Sequence, residues 1–338
     1  MKMNIKKYYT NRWLMFALSL VFFAIIMFAF SSGYLNQYHM QILSLMCINV
    51  ILAVSLNLIN GFTGQFSIGH AGFMASGAYV SALLTNTLKI SFDFSSSPFL
   101  GAVILIAAIV CGGLFSGLVG FLIGLPTLRL RGDYLAIATL GFGEIIRVVI
   151  INLDFIGGPR GYGGMPKLTS FGLAFFVAIL SVYIIVNFIN STHGRACISI
   201  REDEIASETM GINTTKYKIM AFSIGAFFAG VAGALFAHML TYLHPSMFGF
   251  LRSIDILVMV VLGGLGSITG SISAAIFITY LNELLRQFIE LRMIIYSLML
   301  IIVMLTRPQG LLGNRELSVT GLLSSRNWAK RKGGVDHD

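Results

Sequence analysis

The residues of this chain that could do chemistry are few, and they stand out because apolar sequence surrounds them. Glu144 and Arg147 in LGFGEIIRVVI are three apart and so share one helix face. Charges at the centre of an apolar run are expensive and should pair. The pair reads first as a structural ion pair facing neighbouring helices, with a transport role as the alternative. A second group is Thr63, Gln65, Ser67 and His70, carried on NGFTGQFSIGHAGFMASG (60–77). A lipid-facing helix disfavours so many glycines and polar groups. Non-helical backbone at membrane depth survives only when buried in protein or lining a cavity. Two readings stay open: a broken helix forming a solute path, or a close helix–helix contact that glycine permits. A third group is the polar island GRACISIREDEIASETMGINTTKYK (194–218), the only long charged stretch between apolar segments. Ile200, Ile205 and Met210 give it a broadly amphipathic helical pattern, and Gly211 is a plausible stop.

The elements that must position these residues follow from hydropathy. No Lys, Arg, Asp or Glu occurs between Arg12 and Lys89, from Pro98 to Leu128, or from Leu168 to Thr192. Such runs exceed the roughly 20 apolar residues needed to cross a bilayer. The expected fold is an all-α polytopic transmembrane bundle of about ten spans, near 13–30, 40–60, 71–88, 99–125, 134–153, 171–190, 219–241, 253–268, 270–287 and 292–306. Gly263, Gly264 and Gly266 leave open a re-entrant bend at the eighth and ninth. The stretch 13–30 resembles a signal peptide but is too long for one, and reads as an uncleaved first span. Residues 1–12 form an N-terminal segment, 13–306 a single membrane domain, and 307–338 a basic tail. Basic residues set the topology. With both termini cytoplasmic, Lys2, Lys6, Lys7, Arg12, Arg129, Arg131, Arg195, Arg201, Lys216, Lys218 and the basic tail share one side, and the island 194–218 faces the cytoplasm.

Composition limits the function. Of 338 residues, 56% are hydrophobic and only 11% charged, with a net charge of +9. Soluble domains carry about 25% charged residues, so little chain is left for an extramembrane domain. The positive charge lies in loops and tails, where it anchors the chain at anionic headgroups, and gives no reason to expect nucleic acid. Cys47, Cys111 and Cys197 form no CxxC pair and read as small hydrophobes. There is no GxxxxGK[ST], HExxH or GxSxG pattern and no Cys/His metal cluster. Carboxylates near span centres are scarce, which argues against an ion-driven pump. Glu283, Arg286 and Glu290 read as a solvated helix end, and GGPRGYGGMP (157–166) as an outer connector with no catalytic residue types.

Several long blocks, in matching order over residues 40–313, resemble the branched-chain amino acid ABC permeases of LivM type. They are NGFTGQFSIGHAGFMASGAYVSALL (60–84), LRLRGDYLAIATLGFGEIIRVV (128–149), GGPRGYGGMP (157–166), IREDEIASETMGINTTKYKIMAFSIGAFFAGVAGAL (200–235) and TRPQGLLG (306–313). The resemblance implies one membrane subunit of an ATP-driven importer in the bacterial plasma membrane. It implies a LivH-like second permease, two LivG/LivF-like ATPases that bind the ATP and magnesium, and an extracytoplasmic protein that binds Leu, Ile or Val. Glu204, Ala206 and Gly211 match the family's EAA-like pattern, E-x-A-x4-G, which implies that 194–218 is the coupling segment. No cofactor, metal or catalytic residue is expected in this chain. The alternatives are a urea or short-amide importer of the same design, a self-sufficient secondary carrier, an intramembrane enzyme and a non-transporting scaffold.

Overall fold

The computed structural model describes residues 21–33 except 22, 36–91, 98–128, 130 and 132–288, with isolated positions 295, 298, 301 and 305 beyond. The chain divides into two compact units, residues 1–40 with 315–338, and residues 41–314. The site described below belongs to the second.

Helix α1 spans Gln37–Asn57 and passes directly into a π turn at Leu58–Phe62. Irregular chain leads to α2, His70–Ser91, then α3, Pro98–Thr127, and α4, Asp133–Ile151. Helix α5 is Phe171–Asn190. The polar island forms two short helices, α6 at Thr192–Glu202 and α7 at Glu204–Thr209. Helix α8 is Thr214–Leu240, α9 is Phe250–Gly263 and α10 is Ile268–Leu284. Among the described residues, six helices are long and apolar enough to cross a membrane. The protein is an all-α polytopic membrane protein.

The structure departs from the expected spans in instructive ways. The stretch expected at 270–287 begins two residues early, as α10 at Ile268, and runs on through a 3-10 turn at Leu285–Gln287. The stretch expected at 253–268 ends early, at Gly263. The span expected to begin at 219 begins at Thr214, because the Asn213 side chain caps the helix by accepting from the Lys216 amide at 3.0 Å. The first span is described only in its second half. Residues 1–12, Arg129, Arg131, Glu290, most of 292–306 and the basic tail lie outside the described residues.

Helices α2, α3 and α8 form the centre, held by small residues. Gly77 lies so close to the Gly230 backbone, and Gly233 to the Met74 carbonyl, that neither leaves room for a Cβ. A Cβ on Gly112 would stand 2.7 Å from the Gly77 carbonyl. Ser116 Oγ sits 2.8 Å from the carbonyls of both Phe73 and Ala226 and ties the three helices together. Lipid tails are as apolar as side chains, so close backbone approach and buried hydrogen bonds, rather than apolar burial, hold membrane helices together. The burial is uneven. About 72% of the apolar stretch of α1 and of α8 is buried, against 22% for α4. Helix α4 is therefore the peripheral one, and it carries Glu144 and Arg147.

The GGPRGYGGMP segment is more than a connector. Tyr162–Gly163 pairs antiparallel with Tyr242–Leu243. The Tyr242 hydroxyl donates to the Arg160 carbonyl at 2.7 Å, and His244 Nε2 donates to the Pro159 carbonyl at 3.2 Å. Gly157, Gly161 and Gly164 all hold positive φ, which lets the segment coil tightly enough to reach these partners.

Replacing Gly233 by Leu would drive a side chain into the Met74 carbonyl. We expect α8 to be forced off α2 at a cost of about 1–3 kcal/mol, seen as a lower midpoint for thermal unfolding in detergent. An unchanged midpoint would contradict the packing described.

Candidate functional site

The two Gly-rich breaks anticipated in the sequence meet in space. In the first, α1 loosens into the π turn and the chain runs irregularly to His70. Local bonds hold its shape. The Asn60 side chain closes a loop on Ser67, donating to its carbonyl and accepting from its amide, both at 3.1 Å. The Gln65 amide donates to the Ile59 carbonyl at 3.1 Å, and the Thr63 hydroxyl to the Leu58 carbonyl at 2.9 Å. The Ile68 amide donates to Thr139 Oγ1 on α4 at 3.1 Å.

All four candidate path residues are buried: Thr63, Gln65, Ser67 and His70. His70 Nε2 shares a 2.8 Å hydrogen bond with Ser55 Oγ. Both side-chain amide atoms of Gln65 (Oε1 and Nε2), the Ser67 hydroxyl and His70 Nδ1 make no hydrogen bond among the described residues. An unpaired buried polar group costs about 1–3 kcal/mol. Three such residues within six positions form a concentration of unmet polar capacity inside an apolar bundle.

The second break lies between α9 and α10. Gly263 and Gly270 face each other with no space for a Cβ, and Ser267 caps α10 by accepting from the Gly270 amide at 3.1 Å. One side chain of α1 joins this break to the first. The Asn57 amide group donates to the Ser267 carbonyl at 2.9 Å and to Ser271 Oγ at 2.8 Å, while its oxygen accepts from the Gly266 amide at 2.9 Å. Gly61 packs against the Gly266 amide with no room for a side chain. Asn57 went unremarked in the sequence because it looks like one polar residue in a greasy run. Its signal was the i, i+4 spacing to Gly61.

The polar island docks against this junction. It is two helices rather than one, because Asp203 leaves the helical region (φ −155°, ψ 110°) and caps α7, its carboxylate accepting from the Ala206 amide at 3.0 Å. Arg201 Nη1 donates to the Gly61 carbonyl at 2.9 Å, and its guanidinium pairs with the Glu202 carboxylate. By sequence alone Arg201 is one of the topology-setting charges. Glu204 points inward, with its carboxylate 2.7 Å from Lys218 Nζ on α8. Gly211 has φ +83° and ends the segment as its sequence position indicates. Ile200 is buried, but Ile205 and Met210 are 67% and 82% exposed, so the expected single apolar face is divided between the bundle and the outside.

Glu144 and Arg147 do pair, with Arg147 Nε donating to Glu144 Oε2 at 2.6 Å. Each remains about one-third exposed, and Glu144 borders a narrow cleft with Gly69, Gly72, Gly143, Phe248 and Ser253. Glu283 and Arg286 lie 3.5 Å apart with Arg286 largely exposed, in keeping with a solvated helix end.

Breaks in apolar helices, repaired by polar side chains and contacted by two short polar helices, are features of a polytopic membrane protein. Comparison with known proteins gives the family. Residues 38–304 match the family described as branched-chain amino acid transport system / permease component, and the chain belongs to it. It is 37% identical over 307 residues to the high-affinity branched-chain amino acid transport system permease protein LivM of Salmonella typhimurium, across 80% of this chain and 69% of that one. The Escherichia coli LivM is similar to the same extent. The permease protein LivH of Salmonella typhimurium is 25% identical over 284 residues, across 79% of this chain and 92% of that one. No solved structure matches the chain.

Cys197 on α6 provides a check on this docking. Burial pushes its thiol up to about 11, and its Sγ lies 3.8 Å from the Tyr217 carbonyl on α8. The reactive thiolate is therefore scarce below pH 11. In a variant with Cys47 and Cys111 changed to Ser, Cys197 should react with iodoacetamide at pH 8 about a hundredfold more slowly than an unperturbed thiol. Unfolding should restore the ordinary rate, and fast labelling of the folded protein would place α6 away from α8.

Proposed function

We propose that this chain is one membrane subunit of an ATP-binding-cassette importer that carries leucine, isoleucine or valine into the cell. Family membership over residues 38–304 carries this reading, and the relatives reported above bear branched-chain amino acid names. No feature of the site favours urea or amides, a self-driven carrier or an enzyme. In this proposal the chain crosses a bacterial inner membrane about ten times, with residues 1–12 and 307–338 in the cytoplasm and 13–306 as one permease domain. ATP and magnesium bind two partner ATPases. A LivH-like second permease completes the channel, and an extracytoplasmic protein delivers the amino acid.

The binding protein presents the amino acid at the outer face, and ATP binding by the partners moves the segment 194–218. Within it, Glu204 orients α7 through Lys218, Ala206 is held by the Asp203 cap, and Gly211 turns the chain into α8. Ile205 and Met210 project from this tied-down segment and form the contact with an ATPase. The unmatched polar groups of Gln65, Ser67 and His70 support a place for them on the solute path, with Thr63 at its edge. Glu144 and Arg147 serve as a structural pair.

Two experiments test this. Ile205→Glu combined with Met210→Glu should abolish co-purification of the ATPases in detergent while leaving the unfolding midpoint of the chain unchanged; retained ATPase would remove the docking assignment. Gln65→Ala should lower leucine uptake by the assembled transporter about tenfold, the scale of one buried polar contact, without loss of assembly. Uptake at the unaltered rate would take Gln65 off the path.

A further inference from the structure

One side chain of the polar segment reaches both breaks. Arg201 Nη1 donates to the Gly61 carbonyl in the first. In the second, Gly266 holds φ +84°, and a Cβ there would lie 2.8 Å from the same Nη1. Gly64 holds φ +72°, and a Cβ there would lie 2.9 Å from Arg201 Cγ. Three glycines from two separate breaks therefore enclose one guanidinium arm, two of them in a backbone conformation that L side chains rarely adopt. The other edge of the guanidinium faces the Glu202 carboxylate, which orients the group and leaves Nη1 aimed at Gly61.

We propose that Arg201 is the positioning residue through which movement of α6 and α7 is imposed on both breaks together. This rests on the importer reading given above. Asn57 extends the link, because it bonds Gly266, Ser267 and Ser271 and lies against Gly61. A shift of α6 pulls on the Gly61 carbonyl directly and releases or presses Gly266. Both breaks answer to one displacement, and the bundle needs no separate signal for each. Arginine suits the role because its rigid fork can hold a carboxylate on one edge and a carbonyl on the other, which a single ammonium does less well.

The test uses the assembled transporter, with its second permease, its ATPases and its binding protein, in proteoliposomes supplied with labelled L-leucine. Arg201→Met should preserve assembly and ATP hydrolysis while lowering leucine carried per ATP about tenfold, the scale of one hydrogen bond to a charged group. Arg201→Lys, which keeps a charge and a donor, should recover part of the loss, and it carries the test should the Met variant assemble poorly. A merely structural role would lower hydrolysis, uptake and the unfolding midpoint in parallel, and that result would overturn the proposal. So would an unaltered ratio of leucine to ATP in both variants. Failure of the unmodified assembly to take up leucine with ATP would count instead against the importer reading.

Discussion

Backbone that leaves the helix inside an apolar bundle must find a new partner for each amide and carbonyl it frees. This constraint organises the structure. The chain breaks its helices between Leu58 and Gly69 and again between Gly264 and Ser267, and each break is repaired from elsewhere in the sequence. Asn57 supplies three hydrogen bonds to the second break from a position 209 to 214 residues away. Thr139 meets the Ile68 amide from α4, and Arg201 meets the Gly61 carbonyl from α6. The repairs hold four distant parts of the chain to one junction.

The rest of the bundle divides around that junction by packing. Helices α2, α3 and α8 approach through Gly77, Gly112, Gly230 and Gly233, where backbone touches backbone and any added methyl group meets a carbonyl or Cα. Packing that close resists small displacements. Helix α4 differs: Ile137, Ile145, Val148 and Val149 are all exposed, and its charged pair is only partly covered. The centre therefore acts as a frame, and the breaks, with little regular hydrogen bonding of their own, are where the fold can change shape.

The polar segment is tied to that frame at several points. Glu204 binds Lys218, Glu208 accepts from the Thr214 hydroxyl at 3.0 Å, and Ser199 and Ser207 share a 2.8 Å hydrogen bond between α6 and α7. These contacts make the segment a semi-rigid unit rather than a loose loop. The Glu204 carboxylate turns inward to Lys218, and Ile205 and Met210 are exposed on the other side.

Much of this was legible in the sequence. Charge-free runs marked the membrane helices because lipid excludes charge whatever the tertiary fold. The clusters of glycine marked the breaks, the i, i+3 spacing paired Glu144 with Arg147, and Gly211 marked a helix end, each through local backbone or helix geometry. Local rules could not show that the breaks near Gly61 and Gly266 touch, that Asn57 and Arg201 bridge them, or that residues 162–163 pair with 242–243. Helix lengths also shifted where caps intervened, as at Asn213 and Asp203. Hydropathy and spacing belong to each stretch of chain alone, so the sequence by itself determined which segments are apolar enough to cross a membrane and where they falter. Which faltering segments meet depends on glycine surfaces and hydrogen bonds between residues up to 230 positions apart, as from Asn49 to Thr279, and only the tertiary structure decided that.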